Sequence, residues 1–377
     1  MRPRLNGQTG PAPDRYLAEE EFADSSFYPQ YRPEVIAPLT AADYPSFSAG
    51  DLVLTRHRGS FIRPCPATPL YNCCGLNIIH IGQGCHLGCQ YCILAAYLGS
   101  AAVFRFGNAL TDGLAEIKRI LDDIENSGRP QDPEKSYRFC TGEFTDSLVF
   151  DRGFNISESL ILLFSNYSKS VLELKTKTAG IDHLLALDHR GRTVISFSVN
   201  SPFISAGTES RAAPLISRLK AARKAADWGY SIGLHFDPIV CYPGWSRGYL
   251  EAVGLIDKYV PWNKVAWISL GCFRYLGPLK NILLKDNPSA LFDGEFIRAH
   301  DGKKRYPRPL RYLLYKSLLN FLKPHLCPLT TVYLCMESGR MWRDLFGFDP
   351  GTSGLAARFR TAPLTSAWTF RPQIKNS

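Results

Sequence analysis

The 377-residue sequence is informative first for what it lacks. It has no stretch of about 18 uninterrupted apolar residues, so a membrane-spanning helix is not expected. The first 26 residues contain no apolar core of the kind that signal peptides carry, so we expect a cytoplasmic protein. In a reducing compartment, its eleven cysteines are expected to be reduced, metal-bound or catalytic rather than paired in disulfides.

Acidic residues are also scarce relative to basic ones. The chain has 34 Asp and Glu against 44 Lys and Arg, which gives a formal net charge of +10. This excess favours an anionic partner, with nucleic acid the first candidate, although solubility alone is the simpler explanation. No internal repeat or low-complexity tract interrupts a composition that is 45% hydrophobic and 21% charged, which is typical of globular domains.

Short β-branched runs alternate with amphipathic segments through the middle of the chain. The predicted strands are 76–81, 136–140, 171–177, 193–200, 231–240 and 264–271. The predicted helices are 112–128, 156–166 with Asn155 as N-cap, a short one at 180–188, 212–228 and 245–260. This alternation implies parallel strands with right-handed crossovers, and the polar residues at the strands' carboxyl ends favour a barrel or partial barrel with one site there.

The two ends of the chain differ from this middle part. Residues 1–45 are polar and Pro-rich, and we predict a loosely ordered arm. Residues 46–275 form the predicted barrel with its lead-in, and residues 276–377 form a C-terminal extension with one more candidate strand at 331–335. The extension contains basic residues predicted to contact nucleic-acid phosphates, unless they form an ordinary solvated helix face: Lys303, Lys304, Arg305, Arg308 and Arg311.

Three cysteines form the most specific motif. Cys85, Cys89 and Cys92 are spaced C-x3-C-x2-C, and Gly84 and Gly88 favour a tight loop over a helix. Soft thiolates suit an iron–sulfur cluster or zinc. A [4Fe–4S] cluster held by three cysteines leaves one iron open, as catalysis requires. A zinc site would need a fourth ligand, for which the candidates are His80, His86, Cys73 and Cys74.

The cysteine loop, with Tyr91 directly before its last cysteine, resembles that of the radical S-adenosylmethionine superfamily. Several further segments resemble the spore photoproduct lyase family between about residues 50 and 345. These segments are RPCPATPLYNCCG (63–75), RFCTGEFTDSL (138–148), KTKTAGIDHLL (175–185), ISFSVNSPFI (195–204), GLHFDPIVCYPGW (233–245) and ISLGCFRY (268–275).

The resemblance implies a partial (β/α)6 barrel of the radical SAM type, a [4Fe–4S] cluster and S-adenosylmethionine. It also implies repair of a thymine-dimer-type lesion in DNA by a 5′-deoxyadenosyl radical, an electron donor such as flavodoxin or ferredoxin, and a monomer. The alternatives are a radical SAM enzyme acting on another substrate, and a non-catalytic iron–sulfur or zinc protein that binds nucleic acid.

Residue roles follow from the resemblance by position. The implied cofactor-binding residues are Thr141, Gly142, Glu143, Lys177, Ser198, Asn200 and Asp237. Glu143 suits the methionine ammonium and Lys177 the carboxylate. Ser198 and Asn200 suit the ribose hydroxyls, or are simply satisfied strand-end groups. Asp237 stands where some members carry a small apolar residue.

Cys140 and Tyr91 are the implied catalytic residues. The resembled lyases use a cysteine at the position of Cys140 to donate a hydrogen atom to the product radical. They also carry a tyrosine just after the last cluster cysteine, where this chain has Ile93. The group Cys65, Cys73 and Cys74 is either an accessory metal site or a set of packed thiols.

Overall fold

The computed structural model describes residues 34–38, 52–65, 70–95, 103–127, 137–149, 151–286 and 290–361. Its strands are β1 (Glu34–Pro38), β2 (Leu52–Arg56), β3 (Ile62–Pro64), β4 (Asn77–Ile79), β5 (Gly82–Gln83), β6 (Val103–Phe106), β7 (Tyr137–Cys140), β8 (Ser170–Thr176), β9 (Thr193–Ser198), β10 (Ser231–Ile239), β11 (Val265–Cys272), β12 (Arg274–Tyr275), β13 (Ile297–Arg298), β14 (Lys304–Arg305) and β15 (Thr331–Leu334). Its helices are α1 (Asp112–Asn126), α2 (Asp151–Phe154), α3 (Ile156–Phe164), α4 (Pro202–Thr208), α5 (Leu215–Asp227), α6 (Trp245–Tyr259), α7 (Gly277–Asp286), α8 (Arg308–Leu322), α9 (Gly339–Phe346) and α10 (Gly351–Thr361).

The main sheet has the strand order β15-β11-β10-β9-β8-β7-β4-β3. Every neighbouring pair from β4 to β15 is parallel, and only β3 pairs antiparallel, at the edge. The prediction of an α/β partial (β/α)6 barrel is confirmed. Because parallel strands run the same way, their carboxyl ends and the loops that follow them meet at one rim.

Strand β8 shows how the sequence builds both faces of this sheet. It reads SVLELKT, so aliphatic residues alternate with Glu173 and Lys175. Successive side chains of a strand point to opposite faces. The aliphatic face packs against α3, while Glu173 and Lys175 face the barrel interior with other polar side chains.

Helix starts departed from the prediction in two places. Asn155 adopts a left-handed backbone with φ of 52° and makes no capping hydrogen bond through its side chain. Asp151 in the preceding turn of helix accepts from the Ser157 amide instead, at 2.9 Å, so Asn155 occupies the predicted N-cap position but its side chain does not cap the helix. Helix α4 was not predicted; Ser201 caps it by accepting from the Ile204 amide at 3.3 Å.

The two ends of the chain also hold more structure than expected. Most of the predicted arm lies outside the described residues, but β1 within it pairs antiparallel with β2. After residue 275, β14 pairs with β12 and β13 in a small antiparallel sheet, and β15 pairs with β11. The last part of the chain therefore completes the barrel sheet. None of the helices described is long and apolar enough to cross a membrane.

Candidate active site

The cluster loop, defined as residues 84–92, follows β5 at the rim of the barrel. Gly84 and Gly88 have φ values of 82° and 64°, a region that glycine enters without strain. The Gly84 amide donates to the Phe144 carbonyl at 2.9 Å. A Cβ atom on Gly88 would lie 2.9 Å from Ser210 Oγ, so the backbone conformation favours glycine there and any other residue would also displace the Ser210 side chain.

The three thiols of the loop are partly buried and influence one another. Burial raises the pKa of Cys85 and of Cys89 to about 12, and it also raises the pKa of Cys92. Lys177 opposes this effect and lowers the pKa of Cys89 and Cys92. Thiolates at this position therefore need a cation beside them, and a loop of three soft sulfur donors next to a lysine fits a [4Fe–4S] cluster.

The geometry does not favour a zinc site. Within the described residues, no group of three or more His, Cys, Asp or Glu side chains, the three loop cysteines included, is arranged to hold a metal ion, so the case against zinc rests on its candidate fourth ligands. Of the candidate fourth ligands, His86 lies 2.6 Å from the Arg211 guanidinium and His80 stacks on Phe144 with ring centroids 5.2 Å apart. Cys73 hydrogen-bonds with Cys65 and Cys74, which is consistent with packed thiols.

His80 gives the fold a testable pH dependence. Burial, with His57 and Arg63 nearby, lowers its pKa from 6.5 to about 3. The unfolded chain therefore binds a proton first, so stability is complete above pH 6.5 and is lost as the pH falls towards 3. We expect His80 to contribute on the order of 3–5 kcal/mol to this loss. Urea unfolding of His80→Phe across that range should show a shallower slope; a slope equal to that of wild type would contradict the expectation, and exposed His300→Phe is the control.

Tyr91 belongs to a buried hydrogen-bond network. Its hydroxyl donates to Glu209, which also accepts from Arg218 and, at 3.2 Å, from the Ser205 hydroxyl. Arg218 additionally donates to the Ser198 carbonyl at 2.9 Å. Burial, together with the neighbouring Glu209 carboxylate, raises the pKa of Tyr91 well above its usual value. Tyr91 is therefore a neutral phenol. Glu209 and Arg218 were missed by sequence reasoning because neither lies in a motif.

Main-chain hydrogen bonds fasten the cluster loop to the end of α4. The Gln90 amide donates to the Thr208 carbonyl at 2.9 Å, and the Arg211 amide donates to the Leu87 carbonyl at 3.1 Å. The Ser210 hydroxyl donates to the Gly88 carbonyl at 3.2 Å. These bonds hold the cluster loop against the segment at the end of α4, which follows strand β9.

The three predicted cofactor-binding residues that follow β7 lie in different environments. Thr141 is buried and donates to Ser147 Oγ at 2.8 Å, which makes its side chain part of the scaffold. A Cβ atom on Gly142 would lie 2.8 Å from both Lys175 Cβ and Ser147 Oγ, so only glycine fits. Glu143 is partly exposed at the rim and pairs with Lys175 Nζ at 3.0 Å. Of the three side chains, Glu143 alone presents an accessible charge.

Cys140 lies at the carboxyl end of β7 and is fully buried. Burial raises its pKa to about 12, against the opposing effect of Lys175. The Gly142 amide donates to its sulfur at 3.3 Å. The thiol therefore keeps its proton at neutral pH.

In the barrel interior, four side chains contact one buried carboxylate, that of Glu173 on the strand next to Cys140. Glu173 accepts from Arg138 at 2.8 Å, Ser196 at 2.6 Å and Trp267 at 2.8 Å. His235 Nε2 lies 2.8 Å from the same carboxylate. The arginine guanidinium also lies over the Trp267 ring, 4.4 Å from its centroid. The alternation of side chains along β8 could have indicated that Glu173 faces the barrel interior, because Glu173, Lys175 and Lys177 share one face.

The strand-end residues of β9 and β10 already have partners. Asn200 donates to the Pro238 carbonyl at 2.9 Å and accepts from the Tyr249 hydroxyl at 2.8 Å, as the strand-end interpretation expects. Asp237 forms a two-point ion pair with Arg274, at 3.1 and 3.2 Å. Ser198 is only partly buried.

The basic stretch is largely directed inward. Arg305 is buried and donates to Asp301 at 2.5 Å, and Arg311 is buried and donates to Glu337 at 2.9 Å. The prediction that these two contact phosphates is wrong, because their charges are paired inside the protein. Lys303 is buried too, 3.9 Å from Asp301, and partly exposed Arg308 pairs with Asp344 at 2.5 Å. Lys304 is partly exposed.

Comparison with known proteins bears on this arrangement directly. A family model described as spore photoproduct lyase matches residues 75–320, which contain the cluster loop, Cys140 and the strands from β4 to β11. The chain belongs to the spore photoproduct lyase family. Within the family, the spore photoproduct lyase of Bacillus subtilis (strain 168) is 27% identical over 230 residues, and that of Geobacillus sp. (strain Y412MC61) is 31% identical over 230 residues. Each alignment covers 60% of this chain and 64% of the relative, so the chain matches just under two thirds of the length of these relatives.

Solved structures of the family share the fold. Spore photoproduct lyase complexed with dinucleoside spore photoproduct matches with a TM-score of 0.63 at 23% identity, over 75% of this chain and 82% of that chain. A mutant of that enzyme with bound AdoMet and dinucleoside spore photoproduct matches with a TM-score of 0.64 at 24% identity, over the same shares.

Proposed function

We propose that this protein is a radical SAM [4Fe–4S] enzyme that repairs a thymine-dimer-type lesion in DNA as a carbon–carbon lyase. Its membership of the spore photoproduct lyase family supports the chemistry. The observation that carries the proposal is that a three-thiol loop near Lys177 is joined, by the hydrogen bond from the Gly84 amide to the Phe144 carbonyl, to the segment that follows Cys140. The proposed cofactor supplies a 5′-deoxyadenosyl radical when it is bound.

The chain's own residues have separable tasks in this proposal. Cys85, Cys89 and Cys92 hold the cluster. Glu143 at the rim accepts hydrogen bonds from the methionine ammonium of the cofactor, and Lys177 meets its carboxylate. The partly exposed Ser198 is the candidate for a ribose contact. Thr141 and Gly142 instead stabilise the backbone after β7, and Asn200 stabilises the backbone after β9.

Cys140 donates a hydrogen atom to the product radical in the proposed reaction. A thiolate cannot donate a hydrogen atom, so the burial that keeps this thiol protonated also suits it to the task. Tyr91 is the phenol nearest in sequence to the last cluster cysteine, since Ile93 replaces the tyrosine that follows it in the resembled lyases. The hydrogen bond from Tyr91 to Glu209 gives its proton an acceptor, which supports a role in passing on the radical.

The proposal also includes an electron donor, a reducing compartment, a contact with nucleic-acid phosphates and a monomeric state. A one-electron donor such as flavodoxin or ferredoxin is required, and reduced thiols require a reducing compartment such as the cytoplasm. Lys304 and Arg308 remain the candidates for phosphate contact, because both keep exposed surface. We expect the protein to act as a monomer.

A radical SAM enzyme with a different substrate is the second candidate. The ion pair between Asp237 and Arg274 favours it, because it places a carboxylate and a guanidinium on the rim of the proposed substrate site. Together with Ile93, Asp237 distinguishes the chain from some of the lyases that it resembles.

Anaerobic reconstitution with iron and sulfide, followed by an assay for 5′-deoxyadenosine, tests the chemistry. A fully loaded protein that forms none would exclude both candidates. DNA carrying the spore lesion then separates them: thymine recovery supports the first, and cofactor cleavage without thymine recovery supports the second.

Replacing Cys140 by alanine should leave cofactor cleavage intact and lower thymine recovery by about tenfold or more, because the product radical loses its hydrogen donor. Quantifying 5′-deoxyadenosine and thymine from the same reactions measures both effects. Cys272→Ala is the matched control, since this cysteine is also buried at a strand end. Unchanged thymine recovery in Cys140→Ala would remove the donor role.

A further inference from the structure

Two aromatic side chains stack on each other at the carboxyl-end rim of the barrel, outside the residues assigned above. Phe203 lies in the first turn of α4, directly after β9, and Tyr242 lies in the loop between β10 and α6. Their ring centroids are 4.7 Å apart, with an angle of 21° between the ring planes. We define these two side chains as the rim aromatic pair. Phe203 is 66% exposed, so it covers the Tyr242 ring while most of its own surface faces solvent.

Contacts beneath the rim aromatic pair hold it in position. A Cβ atom on Gly248 of α6 would overlap the Tyr242 hydroxyl, so the tyrosine packs directly against the backbone of this helix. The Asn200 side chain joins the two loops that carry the pair, because it donates to the Pro238 carbonyl at 2.9 Å and accepts from the Ser201 amide at 2.9 Å. A ring that is already held in place loses little conformational freedom when a ligand stacks on it.

The chemistry of this surface fits a planar, uncharged ring. A single apolar residue on a surface needs no explanation, but an exposed ring supported by a second ring offers an extended face for stacking. The charges beside it have opposite signs, since exposed Arg247 and exposed Glu251 lie about one turn apart on α6. Every nucleobase has a face that stacks on aromatic rings, whatever its hydrogen-bonding groups. A nucleobase without a pairing partner is therefore a ligand that suits the rim aromatic pair.

We propose that the rim aromatic pair stacks an unpaired nucleobase that flanks the lesion in the DNA strand, with Phe203 as the residue that contacts the base. A lesion taken out of a duplex leaves the neighbouring bases with one stacking partner fewer, and the Phe203 ring replaces that partner. The proposal rests on the proposed function and deepens it, because it assigns a contact to DNA outside the lesion. No bond is formed or broken in this step.

Two single-stranded DNA probes of equal length and charge test the stacking. One probe carries thymine at every position and the other carries abasic sites, and fluorescence anisotropy measures the binding of each to the protein before and after reconstitution of the cluster. We expect wild type to prefer the thymine probe and Phe203→Ala to reduce this preference about tenfold, because base–aromatic stacking is lost. The dependence of affinity on salt should stay unchanged, since no phosphate contact is removed. Trp228→Ala is the matched control, because this residue is 53% exposed but follows α5 and precedes β10, at the opposite end of the barrel.

Two further substitutions of Phe203 separate stacking from apolar exposure alone. Phe203→Leu should lose the preference for thymine as the alanine variant does, whereas Phe203→Trp should keep or strengthen it. An unchanged preference in Phe203→Ala would overturn the proposal, and so would an equal loss for both probes, which would assign the residue to the sugar–phosphate backbone. A wild-type dimer that dissociates in Phe203→Ala during sedimentation would also overturn it, because the surface would then belong to a second copy of the chain.

A lesion dinucleotide distinguishes failure of this proposal from failure of the proposed function. The dinucleotide has no flanking base, so Phe203→Ala should give the same thymine recovery from it as wild type. On a longer strand with the same lesion, KM should rise about tenfold with kcat unchanged, because a binding contact remote from the reacting atoms is removed. Equal KM values on the longer strand would overturn the stacking role. If loaded wild type recovers no thymine from either substrate, the proposed function fails, and the preference between the two probes still decides the stacking.

Discussion

Alanine in place of Gly88 should prevent the protein from loading the proposed iron–sulfur cluster. The residue lies between two of the cluster cysteines, with φ of +64° and Ser210 Oγ 2.9 Å from the position of an added Cβ atom. A non-glycine residue in this conformation costs about 1–3 kcal/mol, and the loop can relieve that cost by turning Cys85 or Cys89 away from the common site. We expect iron and sulfide content after reconstitution to fall about tenfold, with a much smaller change in unfolding free energy.

Two further variants separate the causes of this effect. Gly207→Ala lies in α4 with no atom within 4 Å of the added Cβ, so it should load normally. Combining Gly88→Ala with Ser210→Ala removes the steric contact and leaves the backbone strain. Partial recovery of loading would assign the rest of the loss to φ, and normal loading of Gly88→Ala alone would contradict the proposed constraint on the loop.

Methionine in place of Arg218 should have the largest effect on stability. The guanidinium is fully buried and donates to Glu209, Ser205 and two main-chain carbonyls, those of Ala213 and Ser198. Its loss leaves the Glu209 carboxylate buried without its cation, and breaking a buried pair in this way costs about 3–5 kcal/mol. Urea unfolding of the protein without its cluster should show a decrease of that size.

A double-mutant cycle with Glu209→Gln tests this reason for the loss. Removing both charges should cost less than the sum of the two single changes, because neither variant partner is then a buried unpaired ion. Arg223→Met is the matched control on the same helix, since its ion pair with Asp227 is exposed and is worth about 0.5 kcal/mol or less. Additive losses in the cycle would show that Arg218 stabilises the protein through its main-chain contacts instead.

Local patterns in the sequence were sufficient for most of the frame. Strand β8 was predicted at 171–177 and spans Ser170–Thr176, and α6 was predicted at 245–260 and spans Trp245–Tyr259. Helix α4 escaped prediction because its seven residues are too few to show a helical period. Its cap at Ser201 is a local signal that could have revealed it.

The sequence by itself determined the cysteine and glycine spacing of the loop and the alternation of strands and helices, because both depend on residues that are close together in the chain. Cysteines and glycines within nine residues specify the loop, and strand–helix alternation specifies a parallel sheet. Only the tertiary structure decided which charged side chains are exposed and which are buried in ion pairs. Arg311 meets Glu337 across 26 residues of chain, so a run that reads as a basic surface in sequence became in part an internal set of ion pairs. Outside that run, Arg274 meets Asp237 across 37 residues. Residue type fixes the charge, but burial and a distant partner decide whether that charge can reach a ligand.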